Sequence, residues 1–202
     1  MANRTYLYAA KIVEDEGQYT GIGEFNYTIP FIAHLFTFVD VQRIPSLIFN
    51  DRFSGFYGRL VPENVTTFIH HIQELFHKYK TNIAPDIVAE MNKMWTQALD
   101  RLEKISAEGY THVLMEPAEV FALGVDGDDE FDALGDELLY DMQNFDITTD
   151  TQNRLSDLEA QLQAGKFQDP AMAWESLREL GAGFYSSVLY FDLRRITEVP
   201  GT

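Results

Sequence analysis

Two consecutive amphipathic segments constrain the fold of this chain more than any other feature. Apolar side chains recur at three- and four-residue spacing through residues 62–80, and residues 85–107 repeat the pattern. Each segment begins at a proline, which suits the first turn of a helix, and Gly109 follows the second. The pattern predicts an antiparallel pair of helices, each with one apolar face that packs against another layer of the protein.

Strand-like segments supply that layer. Residues 5–13 are apolar on both alternating faces, which is typical of an interior strand. We expect further strands at 46–50 and 53–60, paired as a hairpin through Asn50 and Asp51, and at 112–115, 120–123 and 188–194. We expect a turn at 21–23 and additional helices at 30–40, 130–144, 150–163 and 170–180. These elements predict an α+β (mixed α/β) fold, with one mixed sheet of about four to six strands covered by about five to six helices.

Composition excludes several classes of protein. The chain has 202 residues, and the hydrophobic share of 46% is sufficient for a core, so we expect one domain over 1–202. The absence of cysteine excludes a disulfide scaffold, a thiolate zinc site and a cysteine nucleophile. A net charge of −17 opposes binding to nucleic acid and to anionic membranes. The sequence shows neither a secretory signal nor a membrane-spanning apolar run, so we expect a cytoplasmic protein.

The negative charge is concentrated in one part of the chain. No lysine or arginine occurs between Lys104 and Arg154, and the predicted acidic helical segment covers about 124–165. Residues 116–153 of this gap hold twelve carboxylates: Glu116, Glu119, Asp126, Asp128, Asp129, Glu130, Asp132, Asp136, Glu137, Asp141, Asp146 and Asp150. Such a segment is either a solvated acidic surface or a binding surface for a basic partner.

The second interpretation leads to our principal functional hypothesis. The chain is a non-enzymatic protein-binding domain that engages a basic partner, as an immunity protein or inhibitor engages a cationic toxin or nuclease. Mimicry of a nucleic acid is a variant of the same idea. The candidate partner-binding residues are Asp126, Asp128, Asp129, Glu130, Asp132, Asp136 and Glu137.

Metal sites and catalytic motifs are poorly supported. His70, Glu74 and His77 fall near one face of a helix, but the zinc-protease pattern is broken at His71. Counting from Asp126, the carboxylates match several positions of a calcium-binding loop, yet Phe131 occupies the place that requires glycine. No phosphate-binding loop or nucleophile elbow occurs. We therefore expect no metal and no cofactor.

The N-terminal region resembles a group of uncharacterised bacterial proteins. The resemblance rests on Met-Ala-Asn-Arg-Thr-Tyr-Leu-Tyr at residues 1–8 and on Glu-Phe-Asn-Tyr-Thr-Ile-Pro at residues 24–30. It covers roughly the first sixty residues and implies a bacterial, cytoplasmic protein without indicating an activity. It also marks Arg4, Glu24 and Asn26 as polar residues within apolar elements. They form either a polar pocket of an enzyme or small-ligand binder, or an Arg4–Glu24 pair and an Asn26 turn that hold the first strand.

Overall fold

An antiparallel sheet of five strands lies at the centre of the protein in the computed structural model, which describes residues 3–49, 52–125, 127–181, 189–191 and 193–200. The strands follow the order β2-β1-β5-β4-β3, so β1, β5 and β4 are interior. Their bounds are β1 (Arg4–Val13), β2 (Glu16–Asn26), β3 (Gln42–Ile44), β4 (Gly55–Arg59) and β5 (His112–Glu116).

Seven α-helices occur in the described part of the chain, two of them short. They are α1 (Phe31–Thr37), α2 (Pro62–Lys78), α3 (Pro85–Ala107), α4 (Ala118–Phe121), α5 (Asp128–Gln143), α6 (Ile147–Gln163) and α7 (Pro170–Leu180). The predicted α+β fold class is confirmed. None of the described helices is long and apolar enough to cross a membrane.

The pairing of the strands differs from the prediction in two places. Every described pair is antiparallel, so the expectation of a mixed sheet is wrong. Residues 21–23, predicted as a turn, lie within β2, where they pair with β1 across an irregularity between Leu7 and Tyr8. Glycine is common in turns, but it also occurs inside strands at a bulge. The pattern of Gly21 and Gly23 therefore predicted a turn where the chain forms a strand.

Three further strand predictions are wrong. Residues 46–49 form no strand, and β4 pairs with β3 instead. The predicted hairpin turn, Asn50 and Asp51, lies outside the described residues. Residues 120–123 belong to α4 and the turn after it, because Phe121 packs edge-on against Phe56 and Phe131. The predicted strand 188–194 is not formed by its described residues, which lead into a short 3₁₀ turn at Leu193–Arg195.

The two faces of the sheet are covered differently. One face, with Leu7, Ala9 and Met115, packs against the helices in the main hydrophobic core, where Trp95 and Phe68 are almost completely buried. The other face carries Tyr6, Tyr8, Tyr19, Tyr57 and Leu114. It is covered by residues 47–49 and by Leu189, Phe191, Leu193 and Ile196. The alternation of a β-strand separates these two sets, since neighbouring side chains point to opposite faces.

Hydrogen bonds hold the C-terminal residues on the second face. The Tyr8 hydroxyl donates to the Phe191 carbonyl at 2.8 Å, and the Gly17 amide donates to the Thr197 carbonyl at 3.0 Å. The Tyr19 hydroxyl donates to the Glu198 carbonyl. The end of the described chain therefore takes the place that a second helical layer would occupy.

Candidate functional site

Helix α5 carries six of the seven carboxylates predicted to bind a partner. Asp128, Asp129, Glu130, Asp132, Asp136 and Glu137 are all exposed on this helix. Asp126 lies outside the described residues. The calcium-loop alternative is wrong, because residues 128–137 are helical and so cannot wrap around an ion as a loop does.

Three of these carboxylates are already paired within the protein. The guanidinium of Arg43, on β3, donates to Asp132 and to Asp136 at 2.7 Å each, and the Arg43 side chain is only 7% exposed. Arg52 pairs with Asp128 at 2.5 Å. Two arginines from the first half of the chain thus offset part of the charge on α5 and dock the helix beside the sheet.

Two other carboxylates of the gap without lysine or arginine, Glu116 and Glu119, are hydrogen-bonded within the protein. Glu116 is fully buried and accepts hydrogen bonds from the Ser46 hydroxyl and the Leu47 amide, both at 2.7 Å. Burial raises the pKa of Glu116 to about 7, although those two hydrogen bonds oppose the shift. Glu119 accepts from the Tyr6 hydroxyl at 3.0 Å and from the Arg4 amide at 2.9 Å. The carboxylates of this gap therefore do not all belong to one solvated surface.

The structure brings Arg4, Glu24 and Asn26 together. Arg4 Nε lies 3.0 Å from Glu24 Oε1 and donates to Asn26 Oδ1 at 3.2 Å. Arg4 and Asn26 face each other across β1 and β2, and Glu24 also accepts from the Tyr190 amide at 2.9 Å. Their polar groups bind one another and the C-terminal residues, which is the arrangement expected if they hold the first strand in place.

An acidic cleft lies where α1, α5, α6 and α7 meet. The cavity has a volume of about 780 Å³, and four carboxylates line it: Asp141 from α5, Asp150 and Asp157 from α6, and Glu179 from α7. Among the described residues, Asp141, Asp157 and Glu179 form no ion pair. Asp150 accepts a hydrogen bond from the Asp146 amide at 3.0 Å and so also helps to cap α6.

One cation and two aromatic rings complete the wall of the acidic cleft. Arg154 is the only lysine or arginine in the described lining, and its Cζ lies 5.5 Å from the centroid of the Phe31 ring. The Phe31 and Phe145 rings are 5.7 Å apart. An arginine guanidinium above an aromatic ring is held by the negative face of the ring. This wall therefore suits a guanidinium or ammonium group.

His34 faces the same cavity from α1. Burial lowers the pKa of His34 below its ordinary 6.5, Asp141 and Asp150 oppose the shift, and Arg154 adds to it. The lowered pKa favours the neutral imidazole, which presents one hydrogen-bond donor and one acceptor. Its ring stacks on Phe145 at 6.0 Å, which orients it within the cleft.

The sequence interpretation missed three titratable residues of the acidic cleft. His34, Asp157 and Glu179 were not singled out, because their elements are separated along the chain and meet only in the folded protein. One local signal was present: Asp150, Arg154 and Asp157 are spaced by four and three residues, which places them on one face of a helix. Asp141 and Asp150 belong to the acidic segment but not to the set predicted to bind a partner.

The histidine cluster predicted on α2 lies on the surface of the protein. His70, Glu74 and His77 are all exposed, His70 contacts Gln73 at 3.0 Å, and His71 contacts Glu74 at 3.4 Å. Within the described ranges, no group of three or more histidine or acidic side chains is arranged to hold a metal ion.

Comparison with known proteins yields one relationship. Neither the curated proteins nor the solved structures contain a significant match to this chain. Residues 10–164, well over half of the chain, match a family described as Domain of unknown function (DUF7822). The matched range contains α1 to α6 and thus most of the acidic cleft. The chain belongs to the DUF7822 family.

Proposed function

We propose that this protein is a non-enzymatic binding domain that engages a basic partner protein through the acidic cleft. The proposed role resembles that of an immunity protein or inhibitor bound to a cationic toxin or nuclease. A bacterial, cytoplasmic location is part of the proposal, and the N-terminal resemblance supports it. One observation carries the proposal: four carboxylates from three helices converge on one cavity, and a single arginine occurs among the described residues that line it.

Charge supports this choice of partner. Asp141, Asp157 and Glu179 are exposed and have no described ion-pair partner, so their field extends into the solvent. Opposite charge on a partner raises the association rate and orients the two surfaces. The charges on Asp128, Asp132 and Asp136 are offset by Arg43 and Arg52. We therefore place the centre of the proposed interface at the acidic cleft and not at the start of α5. The remaining acidic residues of α5 form the rim of this interface.

The shape of the acidic cleft supports a side chain of the partner as its occupant. A partner arginine is planar and hydrogen-bonds to carboxylates through several N–H groups, while its apolar stem packs on aromatic rings. Asp141 and Glu179 supply the acceptors, and Phe145 supplies a ring beside the one that Arg154 already covers. An interface of this kind is typical of an arginine hot spot.

A defined peptide probe tests the proposal. We expect fluorescein-labelled hexa-arginine to bind the protein and hexa-glutamine not to bind, with an affinity that falls steeply as NaCl increases. The triple variant Asp141→Asn, Asp157→Asn, Glu179→Gln should weaken binding about tenfold, as measured by fluorescence anisotropy.

A matched variant separates the acidic cleft from the net charge. Asp15→Asn, Asp100→Asn, Glu103→Gln neutralises three exposed carboxylates outside the cleft. This control should change affinity less than about threefold. Equal losses in the two triple variants would show that hexa-arginine responds only to the overall charge, and the assignment of the cleft would be wrong.

A further inference from the structure

A titratable side chain, His34, forms part of the wall of the acidic cleft, and the proposed function gives it no role. It is the only histidine among the described residues that line this cavity. The side chain is partly buried, and its ring stacks on Phe145 with an angle of 24° between the two planes. Packing on this side therefore holds the imidazole at the edge of the space that the partner is proposed to enter.

The charged groups of the acidic cleft act on His34 in opposite directions. In the described lining they come from three other helices: Asp141 from α5, Asp150, Arg154 and Asp157 from α6, and Glu179 from α7. Burial is the largest influence on the pKa of His34 and lowers it, Asp141 and Asp150 oppose the shift, and Arg154 adds to it. The neutral imidazole is therefore favoured, and acidification adds one positive charge to the wall of the cleft.

One carboxylate serves both His34 and the proposed partner. Asp141 favours the protonated imidazole, and it also lines the cavity as an acceptor for a partner arginine. A partner arginine at Asp141 offsets that carboxylate and brings a second positive charge close to the imidazole. Like charges repel more strongly in a cavity from which water is partly excluded than at an open surface. Protonation of His34 and occupancy of the cleft by a cation therefore oppose each other.

We propose that His34 makes the binding of the basic partner dependent on pH, because the neutral imidazole favours binding and the imidazolium weakens it as the pH falls. This regulation rests on the proposed function, since it requires a cationic occupant of the acidic cleft. Thermodynamic linkage is reciprocal, so a bound partner also opposes protonation of His34. One histidine changes the affinity by at most about tenfold per pH unit.

Calorimetric titration with hexa-arginine, acetylated and amidated at its ends, tests the proposal. Its guanidinium groups stay charged at every pH used, so any dependence on pH comes from the protein. Wild type and His34→Gln are compared at pH 7.5 and at one pH unit below the midpoint of His34 measured by NMR. Both should bind at pH 7.5. On acidification the wild type should lose about fivefold more affinity than the variant, since protonation of the carboxylates weakens binding in both proteins.

An exposed histidine provides the matched control. His77 lies on α2 and does not line the acidic cleft, so His77→Gln should show the pH dependence of the wild type. Equal pH dependence in the wild type and His34→Gln would overturn the role of His34 while leaving the proposed function intact. Absence of binding to the wild type at pH 7.5 would instead contradict the proposed function, and the proposed regulation with it.

A second measurement needs no substitution and so does not depend on how a variant folds. NMR titration of the wild-type histidines is carried out without peptide and with saturating hexa-arginine. The midpoint of His34 should fall by about 0.7 pH unit in the complex, which is the same fivefold linkage expressed as a shift. The midpoint of His77 should move by less than about 0.2 pH unit. An unmoved midpoint of His34, or an imidazole that stays neutral at every pH at which the protein is folded, would overturn the proposal.

Discussion

Gly135 on α5 packs directly against the guanidinium of Arg43 on β3. A Cβ atom at position 135 would overlap Cζ, Nε and Nη2 of Arg43. Asp132 and Asp136, on either side of Gly135 along the helix, accept hydrogen bonds from the same guanidinium. The missing side chain therefore creates the space in which Arg43 reaches both carboxylates, and it explains a glycine inside a helix, where glycine is normally unfavourable.

The first prediction concerns this contact. Gly135→Ala should displace Arg43 and lower the free energy of unfolding by about 2 kcal/mol, since a nearly buried ion pair loses its geometry. In an Arg43→Ala background, the same change should be neutral or should stabilise the protein by up to about 1 kcal/mol, because alanine favours the helix. Urea denaturation of the four proteins in this double-mutant cycle measures the coupling. Additive effects would mean that Gly135 and Arg43 act independently.

The second prediction concerns pH. Glu116 has a pKa of about 7 in the folded protein, above the ordinary value of 4.5, so the folded state binds more protons than the unfolded state between these values. Its contribution to stability is fully present below pH 4.5 and is lost as pH rises through 7. The loss is on the order of 3 kcal/mol. Glu116→Gln should remove this part of the pH dependence, as measured by urea denaturation from pH 5 to pH 8.

A matched variant controls for the charge change at Glu116. Glu103 is exposed, so Glu103→Gln removes the same charge without altering a buried group. Its stability profile should run parallel to that of the wild type. A Glu116→Gln profile that also runs parallel to the wild type would show that Glu116 does not titrate in this range.

The third prediction concerns His34 in the acidic cleft. Burial lowers its pKa, Asp141 opposes that shift, and Arg154 adds to it. Titration of the imidazole by NMR should give a midpoint below 6.5. Arg154→Gln should raise the midpoint, and Asp141→Asn should lower it further. Shifts in the same direction for both variants would mean that their charges do not act on His34 as the geometry indicates.

The depressed pKa of His34 also has a consequence for stability. Because the folded pKa lies below the unfolded value, the contribution of His34 is present above pH 6.5 and is lost as pH falls through the folded pKa. This trend is opposite in sign to that of Glu116. Single variants are therefore needed to separate the two groups, and His34→Gln should reduce the loss of stability on the acidic side.

The fourth prediction concerns the C-terminal residues that cover the second face of the sheet. The Phe191 ring lies edge-on to Tyr6 at 5.2 Å and to Phe49 at 5.3 Å. Phe191→Ala should lower the free energy of unfolding by about 2 kcal/mol and should speed hydrogen exchange at residues 193–200. Tyr140→Ala removes an aromatic ring that is 66% exposed on α5 and should change neither measurement. Unchanged exchange in Phe191→Ala would show that this ring does not anchor the C-terminal residues.

Local patterns were sufficient to predict most of the helices. The bounds of α3 and α7 agree with the predicted 85–107 and 170–180, since a proline begins each segment and a glycine follows it closely. The strands were harder to predict. β3 has only three residues and is defined by its pairing with β4, and β2 contains glycines that resemble a turn. Hydrogen bonding between distant segments determines a strand, and a local window does not contain that information.

The sequence by itself determined the fold class, the position of the long helices and the sign of the charge in the second half of the chain. Only the tertiary structure decided how each carboxylate is used: Glu116 is buried, Asp132 and Asp136 bind Arg43, and Asp141 lines a cavity with Glu179. Helical periodicity and net charge are properties of neighbouring residues along the chain. The electrostatic environment of a carboxylate depends on residues that lie next to it in space, and Arg43 and Asp136 are 93 positions apart in the sequence.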